Sequence, residues 1–417
     1  MEEKIKLRKS INWVHGTALT IGAVVGSGIL VLPVIAAKIS GPASILSWVL
    51  MGLFSLPMVF AIGEMSSRYP NSGGIAAYAQ QAFGPRMGSL IGLLILSAML
   101  LGMPVTALIG SHYLGNLFGW GSLGTHISAC VLLLVAVLLN CRGIELSGWS
   151  QVLVVSSILF ILSFVVISAA PQVKLSEFHP FFSFGFKSIG ESMSLLFFAF
   201  LGWEMLGHLS EEFENPRRDI PISLGTAFII VNIIYISTAV VIVGSGVYKT
   251  GDPNVAMITL IGNRWGTHTS SIIAILGFIA CYCPLHTYTA GFSRLIYSQA
   301  RDGYFPQILG KLHPRYHTPF NALMSFAPLL FLVLFLSWYL SLDLKPLIGI
   351  PSTTFLLIYT IGMVSAARVL PTKTGKISGW LSAILSASVF LFSGWFMLVS
   401  LIISLVFVCK YRKDFFC

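Results

Sequence analysis

Apolar runs about 20 residues long recur along the whole chain, separated by short polar stretches. A run of this length crosses the hydrocarbon core of a bilayer as a helix. Overall, 56% of the residues are hydrophobic and only 10% are charged, whereas soluble proteins are about 25% charged. This composition excludes a water-soluble globule, and it excludes a disordered chain, which would be rich in charge. The sequence therefore predicts an all-α integral membrane protein with many spans.

Ten spans can be read from the apolar runs, in two blocks of five. They cover residues 13–35, 43–62, 87–113, 123–139 and 149–169, then 189–209, 222–243, 270–296, 320–340 and 347–369. The last apolar segment, 378–408, is too long for one comfortable span, so we expect a short hairpin that turns near Ser393 and Gly394. The predicted total is twelve transmembrane helices.

This span count divides the chain into three segments and predicts its orientation. Residues 1–170 hold helices 1–5, residues 171–370 hold helices 6–10, and residues 371–417 hold helices 11 and 12 and a tail. The net charge of +10 comes from Lys and Arg between the spans, not from a basic patch, so nucleic-acid binding is not indicated. Of the 25 Lys and Arg residues, 19 fall on the side of both termini. The positive-inside rule therefore predicts a plasma-membrane protein with both termini in the cytoplasm.

Glycines interrupt two of the predicted spans at corresponding positions. The first span contains Gly22 and then Gly26-Ser27-Gly28, and the sixth contains Phe197 to Gly202 with Glu204 two residues on. A membrane helix breaks only where its freed backbone groups face protein, water or a ligand. Interruptions in the first member of each five-span block are typical of an inverted-repeat secondary transporter. The alternative is that the glycines only allow close helix packing.

The exposed ends of such half-helices indicate what they bind. A helix that begins after Gly26 presents free N–H groups and the positive end of its dipole, which suit a carboxylate. Unwound carbonyls before that break, and between Phe198 and Leu201, suit an ammonium group. An α-amino acid carries both groups on one carbon. Bond chemistry is not expected, and neither a nucleotide-binding loop nor a channel filter sequence is present.

At this point the motifs resemble those of the amino acid–polyamine–organocation (APC) superfamily of transporters. They are IGAVVGSGI at residues 21–29, YPNSGG at 69–74 with Ala77 and Tyr78, FFAFLGWE at 197–204, EEFENPRRDIP at 211–221, and Ser293-Arg294 with ARDGYFP at 300–306. The resemblance implies a LeuT-like five-plus-five inverted repeat with broken helices 1 and 6. Within the superfamily, the residues after the second break most resemble bacterial exporters of methionine and branched-chain amino acids.

The resemblance also implies a set of substrate-binding residues. Gly26, Ser27 and Gly28 would hold the carboxylate, and the Ala23 and Val24 carbonyls would hold the ammonium. Phe198 would be an aromatic gate, while Phe200, Leu201 and Gly202 would line the side-chain pocket and share the ammonium site. Some proton-coupled relatives carry a Lys in span five, but this chain has none there and has Ser156 and Ser157 in that neighbourhood. Protons stay a candidate coupling ion, and no sodium, metal or cofactor site is predicted.

Ionisable residues inside spans are costly, so Glu204 and His208 are candidates for coupling or gating. Glu204 is either a proton carrier or a brace that accepts hydrogen bonds from freed N–H groups. His208 either contacts Glu204 one turn away or lies at the membrane interface. Outside the spans we predict an ordinary helix-end pair of Glu64 with Arg68, and a charge cluster that is either a gate network or a set of solvated loop charges. The cluster comprises Glu211, Glu212, Arg217, Arg218, Arg301 and Asp302.

Apart from Glu204, the predicted pocket offers no acidic partner for a cationic side chain. We therefore predict a secondary active transporter of neutral, apolar L-amino acids of the methionine, leucine, isoleucine and valine class. Alternating access moves the substrate, and the resemblance favours export. The alternatives are an uptake permease or exchanger of the same fold, and a membrane sensor that binds an amino acid without moving it. No oligomeric state is predicted.

Overall fold

The computed structural model describes residues 7, 9–249 and 256–410. Within these ranges the structure consists of helices and loops, with one isolated bridge between Ile11 and Phe213. Fifteen α-helices follow one another along the chain: α1 Trp13–Val24, α2 Ser27–Ser40, α3 Ser44–Arg68, α4 Ile75–Phe83, α5 Pro85–Phe118, α6 Ser122–Cys141, α7 Ile144–Ala169, α8 Gly185–Leu196, α9 Met205–His208, α10 Pro216–Gly244, α11 Ala256–Arg301, α12 Phe320–Tyr339, α13 Leu344–Val369, α14 Lys373–Phe390 and α15 Met397–Lys410.

Nine helical segments of the described chain are long and apolar enough to cross a membrane, or up to ten if one bent pair counts as a span. Large apolar side chains such as Phe60, Phe160 and Ile233 are 63%, 75% and 60% exposed. Such exposure suits a surface solvated by lipid tails and not by water. The chain is a multi-pass membrane protein.

The twelve-span count stays a prediction. One of the nine segments, Ser27–Arg68, has 42 residues, which is about 63 Å at 1.5 Å per residue and twice the thickness of a bilayer core. It contains α2 and α3, joined by a short 3₁₀ turn at Gly41–Ala43. The orientation also stays a prediction, because basic residues on which it depends lie outside the described residues: Lys4, Lys6, Arg8, Arg412 and Lys413.

Both predicted interruptions are confirmed. In the first, α1 ends at Val24 and α2 begins at Ser27. In the second, α8 ends at Leu196 and a 3₁₀ turn over Phe197–Phe200 follows. The chain then extends through Gly202, whose φ is +128°. Glycine adopts this conformation without steric cost, since it has no Cβ.

The helices form two groups that enclose the interruptions. In the first group, α1 and α3 pack on α10, and α2 and α3 pack on α8. In the second, α5 packs on α11, and α6 and α12 pack against both. The helices α5 and α11 also contact α2, so the first interrupted span lies where the two groups meet. An inverted-repeat relation between residues 1–170 and 171–370 stays a prediction.

The structure differs from the predicted elements mainly in one additional helix and in where one span begins. The helix α4 lies in the loop after α3, where no helix was expected, and α11 begins well before the predicted span and is kinked at Gly266. In the tail, the helical segments Lys373–Phe390 and Gly394–Cys409 meet at 116°. The turn predicted near Ser393 and Gly394 is therefore confirmed, with Gly394 at a φ of +59°.

Candidate functional site

The two interruptions pack directly against each other, and glycines make this possible. A Cβ on Gly202 would lie 2.8 Å from Val24 Cγ2 and 2.9 Å from the carbonyl carbon of Ala23. A Cβ on Gly28 would lie 2.8 Å from the Cα of Ala199. The glycines therefore allow close packing and also lie at the helix interruptions. The two explanations offered for them from the sequence both apply.

A small cavity lies where the interruptions meet. The volume open to the centre of a water-sized sphere is about 20 Å³, which is room for about one water molecule. Its walls are Ala23, Val24, Gly26, Ser27, Gly28, Met99, Gly102, Thr106, Phe198, Leu201, Pro284, Tyr288, Pro351 and Phe355. None of these side chains carries a charge at neutral pH. The predicted residues Phe200 and Gly202 do not line the cavity, whereas the other seven do.

The start of α2 faces this cavity with free backbone donors. No side chain caps the helix, and the first N–H groups of any helix lack an intrahelical acceptor. The N–H of Gly26 is bonded to the Val24 carbonyl at 3.1 Å, which leaves the donors of Ser27 and Gly28. The hydroxyl of Ser27 donates to Thr106 Oγ1 at 3.2 Å. This arrangement can bind an anionic group.

Glu204 braces the second interruption from within. Its Oε2 accepts a hydrogen bond from the Gly202 N–H at 2.9 Å and another from the hydroxyl of Tyr359 on α13. The carboxylate is fully buried, and Oε1 has no hydrogen-bond partner in the described structure. The geometry is that of the predicted brace, and the proton-carrier interpretation stays a hypothesis.

Tyr235 on α10 connects the two interruptions, and the sequence did not single it out. Its hydroxyl lies 2.7 Å from the Val24 carbonyl oxygen and 2.8 Å from that of Ala199, so one hydrogen is shared between two acceptors. The ring of Phe200 packs edge-on against Tyr235 at 5.2 Å and against Trp48 at 5.9 Å. Phe200 thus belongs to an aromatic support behind the cavity.

His208 makes no hydrogen bond to Glu204 in the described structure, and its position at the membrane interface stays a prediction. It is 1% exposed, so it is buried within the bundle. Its hydrogen bond joins Nδ1 to the Ser72 carbonyl oxygen at 3.0 Å, and its ring packs on Gly74. His208 therefore links α9 to the loop after α3.

Within the described part of the chain, Glu211, Glu212 and Arg301 of the predicted charge cluster form ion pairs. Arg217 and Arg218 do not pair with any residue described there. Glu212 forms a buried, two-bonded ion pair with Arg294, at 2.6 and 3.2 Å. Glu211 lies 3.4 Å from Arg301 and accepts a bond from the Ser72 N–H at 2.8 Å. Backbone bonds from Ser10 and Ile11 to the Glu212 carbonyl, and from Glu214 back to Ile11, add the segment before α1. These contacts tie four chain segments together at one end of the bundle.

The neighbourhood predicted in span five needs a correction. Ser156 and Ser157 are exposed on the outer surface of α7. The residues that pack on the first interrupted helix at Gly22 are Gln151 and Val155. The Gln151 amide also donates to Thr287 Oγ1 at 3.3 Å. The helical register decides which side of α7 faces inward, and an almost uniformly apolar span does not reveal it.

The family model described as amino acid permease matches residues 11–406, which is nearly the whole chain. The chain belongs to the amino acid permease family. The uncharacterized amino acid permease YecA of Bacillus subtilis is 35% identical over 396 residues, covering 94% of this permease and 93% of YecA. The L-methionine/branched-chain amino acid exporter YjeH of Escherichia coli is 27% identical, covering 95% and 94%. The methylthioribose transporter of Bacillus subtilis is 29% identical, covering 73% and 70%.

These similarities confirm the resemblance to the APC superfamily. The permease is an amino acid transporter by family, and the family is one of transporters and not of enzymes. The substrates for which these relatives are named differ, so the substrate of this permease has to be argued from its own cavity.

Proposed function

We propose that the permease moves neutral, apolar L-amino acids of the methionine, leucine, isoleucine and valine class across the plasma membrane by alternating access, with net export. One observation carries this proposal: the uncapped start of α2 faces a cavity without a charged wall residue. A carboxylate has donors there, whereas a cationic side chain has no acidic partner in the walls. The name of the relative YjeH supports both the substrate class and the direction.

The carboxylate and the ammonium of the substrate would bind different backbone groups around the first interruption. The N–H groups of Ser27 and Gly28 would hold the carboxylate, helped by the dipole of α2. The ammonium would bind carbonyl oxygens of Ala23 and Val24. The Val24 oxygen already accepts from the Tyr235 hydroxyl and from the Gly26 N–H. Because a carbonyl oxygen has two lone pairs, the ammonium would replace one of these two donors. The apolar side chain would then contact Met99, Phe198, Leu201 and Phe355 in the walls.

Transport requires the cavity to change size. In the described conformation it holds about one water, so an amino acid enters only after the walls separate. Phe198 lies in the 3₁₀ turn of the second interruption and lines the cavity, which makes it the candidate gate. The Glu212–Arg294 pair and the Ile11 backbone bonds close the end of the bundle near the N-terminus. These contacts must break when that end opens.

The test is flux of a labelled panel in proteoliposomes that contain the purified permease. The panel comprises methionine, leucine, isoleucine, valine, arginine, glutamate and methylthioribose. We expect saturable counterflow of the four apolar amino acids only. Binding without flux would favour the sensor, and preference for arginine or methylthioribose would overturn the substrate class.

Direction and coupling need a second set of measurements on the same vesicles. Proteoliposomes sorted by orientation give the flux from each side, with and without imposed proton and sodium gradients. Faster flux from the cytoplasmic side supports export, and faster flux from the opposite side supports the uptake alternative. A Ser27→Leu permease is the matched control for transport that does not pass through the cavity.

A further inference from the structure

A second, larger recess lies on the outer surface of the bundle, away from the substrate cavity. It is a groove of about 260 Å³. It is lined by one face of α3, by the first half of α10 and by the first two turns of α14. The lining residues are Leu56, Val59, Phe60, Gly63, Glu64, Ser67, Arg68, Pro221, Leu224, Gly225, Phe228, Thr374, Gly375 and Ser378. On α3 they recur at helical spacing, so the groove follows one face of that helix.

The groove is apolar at one end and polar at the other. The apolar residues Leu56 and Phe60 are 37% and 63% exposed, and Phe228 of α10 lines the groove with them. At the opposite end, Arg68 Nε pairs with Glu64 Oε1 at 2.8 Å, as predicted for a helix-end pair. Glu64 also accepts a hydrogen bond from Thr372 just before α14. The polar end therefore lies where α3 ends and α14 begins.

A basic basin continues the groove at this polar end. The two recesses share Ser67 and Arg68, and the basin adds Pro70, Glu214, Asn215, Pro216, Arg217 and Arg218 around about 560 Å³. Arg217 and Arg218 are exposed, and within the described residues neither has an ion-pair partner. Glu214 is the acidic residue that lines the basin with them.

Two more basic residues lie beside the groove, and the basin lies at an identifiable end of the bundle. Lys373 and Lys376 are exposed on the first turn of α14, beside the groove residues Thr374 and Gly375. The bridge between Ile11 and Phe213 places the basin at the end of the bundle that carries the N-terminus. This is the side that the positive-inside rule assigns to the cytoplasm.

We propose that the groove and basin together bind one anionic phospholipid of the phosphatidylglycerol class. The headgroup phosphate lies at Arg217 and Arg218, and one acyl chain lies in the groove between α10 and α14. The groove opens into the lipid phase, so acyl chains reach it without crossing water. Basic pockets on this side of a membrane protein select anionic headgroups, because each Lys or Arg near the surface attracts them. A zwitterionic headgroup has no net charge to satisfy the two arginines.

Two kinds of variant separate the headgroup from the acyl chain. Arg217→Gln with Arg218→Gln removes the basin charge, and Lys311→Gln removes one exposed charge from a loop outside the basin. Gly225→Leu fills the groove, because a Cβ there meets nothing within 4 Å and the added side chain has open space. Ile233→Phe enlarges a side chain at an outward position of α10 that does not line the groove.

Native mass spectrometry of the purified full-length permease, with equal amounts of phosphatidylglycerol and phosphatidylcholine added, tests the proposal. We expect one retained phosphatidylglycerol and a preference of at least about fivefold over phosphatidylcholine. The double arginine variant should lower phosphatidylglycerol affinity roughly 30-fold, at about fivefold per charge. Gly225→Leu should lose the retained lipid, whereas Lys311→Gln and Ile233→Phe keep it. Circular dichroism checks that every variant is folded.

Three results would overturn the proposal. The first is equal retention of the two lipids by the unchanged permease. The second is a loss of about fivefold in phosphatidylglycerol affinity on Lys311→Gln, the same effect per charge as in the double arginine variant, since this would show only a diffuse surface charge. The third is a lipid-free dimer that Gly225→Leu dissociates, which would make a second copy of the chain the occupant of the groove.

Discussion

The two interrupted spans differ in how their freed backbone groups are satisfied. At the first interruption only Val25 and Gly26 separate the helices, and no side chain caps the backbone N–H groups at the start of α2. At the second interruption eight residues, 197–204, separate α8 from α9. There Tyr235 and Glu204 supply partners for backbone groups of Ala199 and Gly202. The short interruption is open to a ligand, and the long one is closed on itself.

This difference assigns separate tasks to the two spans. Unsatisfied N–H groups in a bilayer cost several kcal/mol, so the start of α2 gains most from an anionic ligand. The second interruption offers the cavity mainly the side chains of Phe198 and Leu201. We infer that the first interruption recognises what all amino acids share, and that the second contributes to the choice among side chains.

The largest expected effect comes from blocking the open interruption. Ser27→Leu places a branched side chain in the cavity beside the free N–H groups, and we expect counterflow to fall to the level of empty liposomes. Thr106→Val is the matched control, because it removes the hydroxyl partner of Ser27 but leaves the backbone donors. The affinity of the Thr106→Val permease for its substrate should fall by no more than about tenfold, which is the effect of losing one ordinary hydrogen bond. Undiminished binding by Ser27→Leu would remove the carboxylate assignment.

The next effect comes from removing the brace of the closed interruption. Glu204→Leu leaves the Gly202 N–H and the Tyr359 hydroxyl without their acceptor, at about 1–3 kcal/mol each. We expect a clearly lower melting temperature in detergent. Glu204→Gln keeps an acceptor oxygen, so its melting temperature should fall by less than half of the decrease seen for Glu204→Leu.

The same pair of variants separates the brace from a proton carrier. If Glu204 only braces the segment, Glu204→Gln keeps the response of flux to a proton gradient, whatever that response is. Loss of a gradient response with intact counterflow would identify Glu204 as a proton carrier and would end the view that Glu204 is purely structural.

A smaller effect is expected where the two interruptions are joined. Tyr235→Phe removes one hydroxyl shared by the Val24 and Ala199 carbonyls, and we expect a stability loss of about 1–3 kcal/mol together with slower transport. Tyr113→Phe is the comparison, since the Tyr113 hydroxyl donates to the Leu30 carbonyl within α2 and not to either interruption. Equal transport rates in the two variants would show that Tyr235 does not couple the interruptions.

The smallest effect is expected at the side-chain end of the cavity. Phe198→Leu keeps an apolar side chain of similar size, which usually costs less than about 1.5 kcal/mol in folding. We expect unchanged expression, with up to about tenfold weaker substrate affinity and a larger leak in efflux assays. An unchanged leak and affinity would remove Phe198 as the gate.

Local backbone signals were predictable from the sequence, and contacts between distant spans were not. The glycines at 22, 26, 28 and 202 revealed both interruptions, because a helix weakened inside a membrane is costly unless its freed backbone groups find partners. Tyr235 and Thr106 each look like one polar residue in an apolar span, and only the packing of the spans shows what they bond. The inward face of α7, with Gln151 in place of the serines, depends on helix rotation for the same reason.

The most direct test of the open interruption is competition for counterflow of whichever panel amino acid moves fastest. The competitors are that amino acid and the amine formed from it by removing the carboxylate. If the N–H groups of Ser27 and Gly28 bind the carboxylate, the amine should compete at least about 100-fold more weakly, since bonds to charged groups contribute about 1.5–3 kcal/mol each. Competition by the amine at the same concentration as the amino acid would contradict the account.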